Sequence, residues 1–213
     1  LELMKTDPQF KSCIKESVKR ILRVKSRAFK GNNPSPLYPD HENAQQTITR
    51  LQESESYKAV FQSVCRSVTL IRQGLIPYSP VKGEKILLLG QYPEFMEQGL
   101  VRFPQAETYE YSYYPVERAT RKEKKAIGQL VREYDTIVFL LVNYNSYEIL
   151  TSIKKHNKKI LVVSSLTPVY LKDLPWIKTA IAVYATTTES YEAAFAVLCG
   201  DFKPEGRLPI NIK

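Results

Sequence analysis

Asp7 followed by Pro8 marks a helix start, a capping carboxylate ahead of a proline whose missing N–H costs nothing at the first helical position. Behind it Phe10, Cys13, Ile14, Val18, Ile21, Leu22, Ala28 and Phe29 recur at three- and four-residue spacing, so one face is apolar and needs a partner surface. The run from Gly31 to Asp40 is dense in Asn, Pro and Ser and has no periodicity, which places a linker at 31–42 and the main boundary with it. A second helical stretch is predicted from about Asn43 to Arg66, and Ser67 to Arg72 reads as a short strand before the chain turns at Gly74 and Pro77. Four continuous apolar runs follow, at Lys85–Gly90, Thr136–Val142, Lys159–Ser164 and Ala180–Tyr184, the pattern of strands buried on both faces. Helical segments are predicted at Thr120–Tyr134, Ser146–Asn157 and Thr188–Cys199. Strand and helix in repeated order imply right-handed crossovers, so the fold class is α/β, a three-layer α/β/α sandwich with a mostly parallel sheet over 43–213. Thr108 to Tyr113, where tyrosines alternate with Glu110 and Ser112, adds a strand nearer an edge.

Composition agrees with a packed core: 213 residues, 43% of them hydrophobic and 25% charged, exclude disordered, collagen-like and membrane-spanning readings. The net charge of +9 is uneven, because residues 1–30 carry nine basic side chains against three acidic ones. Such a cluster marks either a nucleic-acid arm or the solvated face of one amphipathic helix. Cys13, Cys65 and Cys199 are odd in number, far apart and without CxxC spacing, so they read as buried thiols rather than a disulfide or zinc framework. Neither a signal peptide nor an apolar run of membrane-spanning length is present, and a chain that opens at Leu1 reads as a fragment.

The chemistry is sparse. Gly90 ends the first long strand, but Gln91-Tyr92-Pro93-Glu94 follows, with no glycine-rich loop to bring backbone amides against phosphates. His41 falls in the linker and His156 at a helix end among Lys154, Lys155, Lys158 and Lys159, where a cation suits the dipole and both imidazoles are expected in solvent. No metal-binding or serine-nucleophile motif occurs. Glu148, beyond the strand that starts at Thr136, is expected in the first turn of a helix as a partner of the macrodipole. Tyr109, Tyr111, Tyr113 and Tyr114 could stack sugars or bases, and strand propensity accounts for them equally.

The C-terminal residues are more specific. Leu198-Cys199-Gly200-Asp201-Phe202-Lys203-Pro204-Glu205-Gly206-Arg207-Leu208-Pro209-Ile210-Asn211-Ile212 resembles the closing signature of glycoside hydrolase family 3, with Gly200 suited to a left-handed helix cap and Pro204 to Gly206 to a tight turn leading into a last strand. Ser17 to Lys25 resembles that family's last barrel helix, and Ser67 to Ile71 the opening of its C-terminal sandwich. Leu166 to Pro175, with Val183-Tyr184-Ala185 and Ser190 to Ala194, is most similar to the β-N-acetylhexosaminidase branch, although Pro168-Val169-Tyr170 stands where that branch has Pro-Tyr-Asp.

The resemblance implies a division into 1–30, the last helix of a TIM-like barrel, a 31–42 linker and a 43–213 sandwich. It also implies a parent that hydrolyses terminal N-acetylglucosamine by a retaining mechanism without a metal or cofactor. The family's nucleophilic Asp, and the Asp/His pair of the hexosaminidase branch, would precede Leu1. The Glu that the β-glucosidase branch carries on its sandwich is replaced by Val142-Asn143-Tyr144. No catalytic, cofactor-binding or metal residue is therefore carried over, since one isolated carboxylate cannot run double displacement. The implied partners are the barrel and, through it, an N-acetylglucosamine-containing glycan, with no nucleic acid. Two alternatives remain: an interaction module whose basic helix meets an anionic polymer, and a glycan-binding module that uses the tyrosines.

Overall fold

The computed structural model describes residues 2–28, 41–52, 54–112, 117–208 and 211. Contacts divide the chain into two compact units, Leu1–Ser54 and Glu55–Lys213.

The first unit holds α1 (Leu3–Thr6), α2 (Pro8–Ala28) and α3 (His41–Gln52). The Asp7 cap forms as expected: its Oδ1 accepts from the backbone N–H of Gln9 at 2.9 Å and of Phe10 at 3.0 Å. Phe10, Val18, Ile21 and Leu22 are all exposed. Apart from His41 and Glu42, which belong to α3, the expected linker lies outside the described residues.

The predicted 43–66 helix is two helices, α3 and α4 (Glu55–Ser67). Between Leu51 and Tyr57 no apolar residue offers a face to bury, and Ser54 folds back, donating both its N–H and its hydroxyl to the Leu51 carbonyl at 3.1 and 2.6 Å.

The second unit continues through β1 (Thr69–Arg72), β2 (Ile86–Gly90), α5 (Pro93–Arg102), β3 (Glu107–Glu110), α6 (Glu117–Leu130), β4 (Thr136–Leu141), α7 (Tyr144–Ile153), β5 (Lys159–Ser164), β6 (Thr179–Ala182) and α8 (Thr188–Cys199). Short 3₁₀ turns at Val131–Glu133, Lys154–His156 and Val169–Asp173 complete it. The six strands form one sheet in the order β1-β6-β5-β4-β2-β3. All neighbours are parallel except β1, which closes one edge antiparallel to β6.

Successive residues of each central strand feed opposite layers. Leu88, Val138, Leu140, Leu161 and Val163 pack with Phe95, Tyr191 and Phe195 beneath α5 and α8. Leu87, Leu89, Ile137, Phe139 and Val162 pack with Ile127, Ile149 and Leu150 beneath α6 and α7. The result is the α/β/α sandwich that the continuous apolar runs imply.

Sequence patterns missed α5. Pro93 sits at the helix start where its lost N–H is free of cost, and Phe95, Met96 and Gly99 are buried. At the other end of the unit Gly200, at φ 86°, caps α8 in the left-handed region as predicted. The segment behind it returns to β1, where the Gly206 N–H donates to the Val68 carbonyl at 3.0 Å. A Cβ on Gly206 would lie 2.2 Å from the Ser67 carbonyl oxygen, so only glycine fits. Most of the expected last strand, including Pro209, Ile210 and Ile212, lies outside the described residues.

Candidate functional site

In an open parallel sheet ligands collect at the carboxyl ends of the strands, where neighbouring strands send their helices to opposite faces. Here that point falls between β2 and β4, since α5 covers one face and α7 the other.

The loop after β4 is tightly built. The Ser146 N–H donates to Asn143 Oδ1 at 3.0 Å, and Ser146 Oγ accepts from the N–H groups of Val142 and Asn143 at 2.9 Å each. This is a capping box with Asn and Ser in place of the usual Ser and Glu. Beside it three elements converge on Ser112. Its carbonyl accepts from Gln91 Nε2 at 2.9 Å and from Asn145 Nδ2 at 3.2 Å, and its N–H donates to Glu123 Oε1 at 3.1 Å.

Around this clamp Gln91 Oε1, Asn145 Oδ1 and Glu123 Oε2 are enclosed without a hydrogen-bond partner among the described residues. Burial drives the Tyr111 phenol well above its ordinary pKa, which keeps it a neutral hydroxyl. Across the edge, at the start of α8, Tyr191 is raised for the same reason, and Glu94 Oε2 is also enclosed with no hydrogen-bond partner among the described residues. Unpaired buried polar atoms are costly, and their concentration at one sheet end is a feature of binding edges rather than of packing alone.

The residues singled out in the sequence fall elsewhere. Glu148 lies beyond the first turn of α7 and is ion-paired with Lys124, both half-buried, so it serves a cross-helix contact rather than the macrodipole. His156 is half-buried, not solvated. Its Nε2 is enclosed over Gly128, and burial, then the cations Lys155, Arg132 and Lys158, push its pKa down. His41 opens α3, and its side chain lies outside the described residues. Cys13 is exposed rather than buried, because α2 leaves its apolar face open; Cys65 and Cys199 are half-buried, and burial raises both thiols. Among the described residues no three His, Cys, Asp or Glu side chains gather as metal ligands, and no helix is long and apolar enough to cross a membrane.

Of the tyrosines considered, Tyr109 is half-buried against the sheet core and Tyr111 is inside it, while Tyr113 and Tyr114 lie outside the described residues. A different set forms the exposed aromatic surface. Tyr144, Tyr147 and Tyr170 stack in series, with ring centroids 5.7 and 5.8 Å apart and planes within 30°. Tyr144 at the outer end is 62% exposed, and Leu166 and Val169 are exposed on the neighbouring loop. Leu166 and Tyr184 both take positive φ, at 62° and 61°. Backbone strain of this kind clusters at binding edges.

Comparison with known proteins is consistent with this geometry. Residues 133–213 match the family description of the glycosyl hydrolase family 3 C-terminal domain. A glycoside hydrolase family 3 β-N-acetylglucosaminidase from Paenibacillus sp. FPU-7 superposes with a TM-score of 0.65 at 19% identity, over 93% of this chain and 39% of that one. A fungal multi-domain family 3 β-N-acetylglucosaminidase gives 0.63 at 21% identity, over 76% and 20%. A β-glucosidase from Listeria innocua, in complex with gluconolactone, gives 0.56 at 16% identity, over 72% and 26%. The chain therefore spans between a fifth and two-fifths of these enzymes. No curated protein matches it.

Proposed function

We propose, from the match of residues 133–213 to the glycosyl hydrolase family 3 C-terminal domain, that this chain serves as the non-catalytic sandwich of a β-N-acetylglucosaminidase-like enzyme. In this reading α2 is the last helix of a catalytic barrel, the carboxyl edge of the sheet packs on that barrel, and the loops after β2 and β4 wall the sugar site. The parent substrate is a glycan ending in N-acetylglucosamine.

The observation that carries the reading is the end of β4. Val142-Asn143-Tyr144 closes the strand with a capping box, and the nearest acid on α7, Glu148, is held by Lys124. Glu94 and Glu123 each keep one oxygen enclosed within the protein, so neither presents that oxygen to an open cleft where a sugar could lie between two carboxylates. The exposed side chains of Tyr144, Leu166 and Val169 on this edge, and of Phe10, Ile21 and Leu22 on α2, are the apolar surfaces that a barrel would cover.

The test is turnover of an aryl N-acetylglucosaminide by the isolated chain. No release above the uncatalysed rate is expected; turnover approaching about 1 s⁻¹ would place the chemistry inside the chain and overturn the reading.

The Tyr144, Tyr147 and Tyr170 stack supports a second, compatible reading, direct contact between this edge and the glycan. Titration with N-acetylglucosamine oligomers, followed by Tyr and Trp176 fluorescence, should saturate in the parent sequence and weaken in Tyr144→Ala.

A further inference from the structure

At the opposite, amino end of the sheet the two connections that lead into β4 and β5 face one another. Arg132 comes from the 3₁₀ turn before β4, and Lys155, His156 and Lys158 come from the turn before β5. Together they line a shallow, open groove of about 580 Å³ whose wall, among the described residues, holds no acidic side chain.

Some cations of the unit are neutralised by ion pairs. Lys159 meets Glu84 at 3.0 Å, Arg102 meets Asp201 at 2.6 Å and Lys124 meets Glu148. Among the described residues Arg132, Lys155 and Lys158 have no carboxylate within ion-pair distance. The Lys158 ammonium instead donates to the Arg132 backbone carbonyl at 3.0 Å, which ties the two connections together and holds the positive charges on one concavity. Asn157, in the left-handed region at φ 49°, makes the sharp bend that brings Lys158 back beside Lys155.

We propose that this groove is a binding site for a phosphate-class oxyanion. A planar guanidinium offers a fork for two oxygens of a tetrahedral anion, and two ammonium groups supply charge that a doubly negative ion would match. The pKa of His156 is lowered first by burial and then by the same three cations, which fits a positive potential at the groove. On α6 the imidazole approaches Gly128, whose ideal Cβ position lies 3.8 Å from His156 Nε2. The site lies at the other end of the strands from the edge assigned to the sugar, so it does not depend on that assignment.

The chain has two histidines, His41 and His156, so imidazole NMR resolves the site and an internal control in one spectrum. The full chain is titrated at low ionic strength with inorganic phosphate, with polyphosphate and with acetate. Phosphate should shift His156 and the amides of 132 and 155–158 saturably, raise the His156 pKa and leave His41 unmoved. Arg132→Gln and Lys155→Gln, both at exposed positions that the fold does not need, should each weaken binding about tenfold, whereas Lys172→Gln should not. Polyphosphate that binds more tightly per phosphate would assign the site to a polymer-borne group, and equal affinity to the free ion; either result supports the site. The proposal is overturned by a lack of saturation, by acetate binding as well as phosphate, by equal loss in Lys172→Gln, or by duplex DNA binding where inorganic phosphate does not.

Discussion

Thr136, the first residue of β4, donates its hydroxyl to Glu84 Oε1 at 2.6 Å and so ties the turn before β2 to the centre of the sheet. The same oxygen accepts from Lys159 Nζ at 3.0 Å, and Oε2 accepts from the Val81 N–H at 2.9 Å. Burial alone would raise this carboxyl. The three donors outweigh it and hold the pKa at about 2.

A carboxyl depressed in the folded state stabilises the fold above its unfolded pKa, and that contribution is lost as pH falls through the folded value. For Glu84 the window runs from about pH 5 down to about pH 2 and involves about 2–3 kcal/mol. Glu84→Gln should therefore unfold more easily than the parent at pH 7 and show a shallower loss of stability through that window. Urea midpoints measured at pH 7, 4 and 3 check both; a parallel pH dependence in the two proteins would refute the role.

Arg72 closes three hydrogen bonds to backbone carbonyls, from Nη1 to Leu174 at 2.6 Å and Ile177 at 3.0 Å, and from Nη2 to Leu171 at 2.8 Å. Arg72→Met keeps the apolar stem and strands these acceptors, at a cost of about 2–3 kcal/mol. The loss should be accompanied by faster amide exchange over 169–177, and stability equal to the parent would show that water replaces the guanidinium.

Gly206→Ala forces a methyl against the Ser67 carbonyl and the Thr69 hydroxyl, 2.2 and 2.3 Å from the ideal Cβ position. Strain of this kind costs about 1–3 kcal/mol. Lower thermal stability with an unchanged circular dichroism spectrum is expected, because the clash opens the return segment and leaves the sheet intact.

Asn143→Ala removes the acceptor for the Ser146 N–H and should cost about 1 kcal/mol. Asn143→Asp, which keeps an acceptor, should restore most of it. A chemical-denaturation series of the three proteins separates capping from a general effect of the substitution.

The central layer was legible in the sequence because its signal is local. The runs at Ile137–Leu141 and Ile160–Val163 admit no polar residue on either face, and Gly200 ends α8 where a left-handed residue is needed. What escaped depends on context. Pro93 begins a helix or a turn with equal local propriety, and only the burial of Phe95 and Met96 decides between them. The Ser112 clamp joins Gln91 and Asn145, 21 and 33 residues away, and carboxamides have no characteristic spacing that would announce a site. Tyr144 and Tyr147 are one helical turn apart, but Tyr170 joins their stack only because β4 and β5 are neighbours in the sheet.

The hydrogen bond between Gly206 and Val68 makes the α/β unit a closed circuit, in which the chain comes back to the strand where it set out. Such a cassette can be spliced beside another fold through one short seam, without threading either partner through the other.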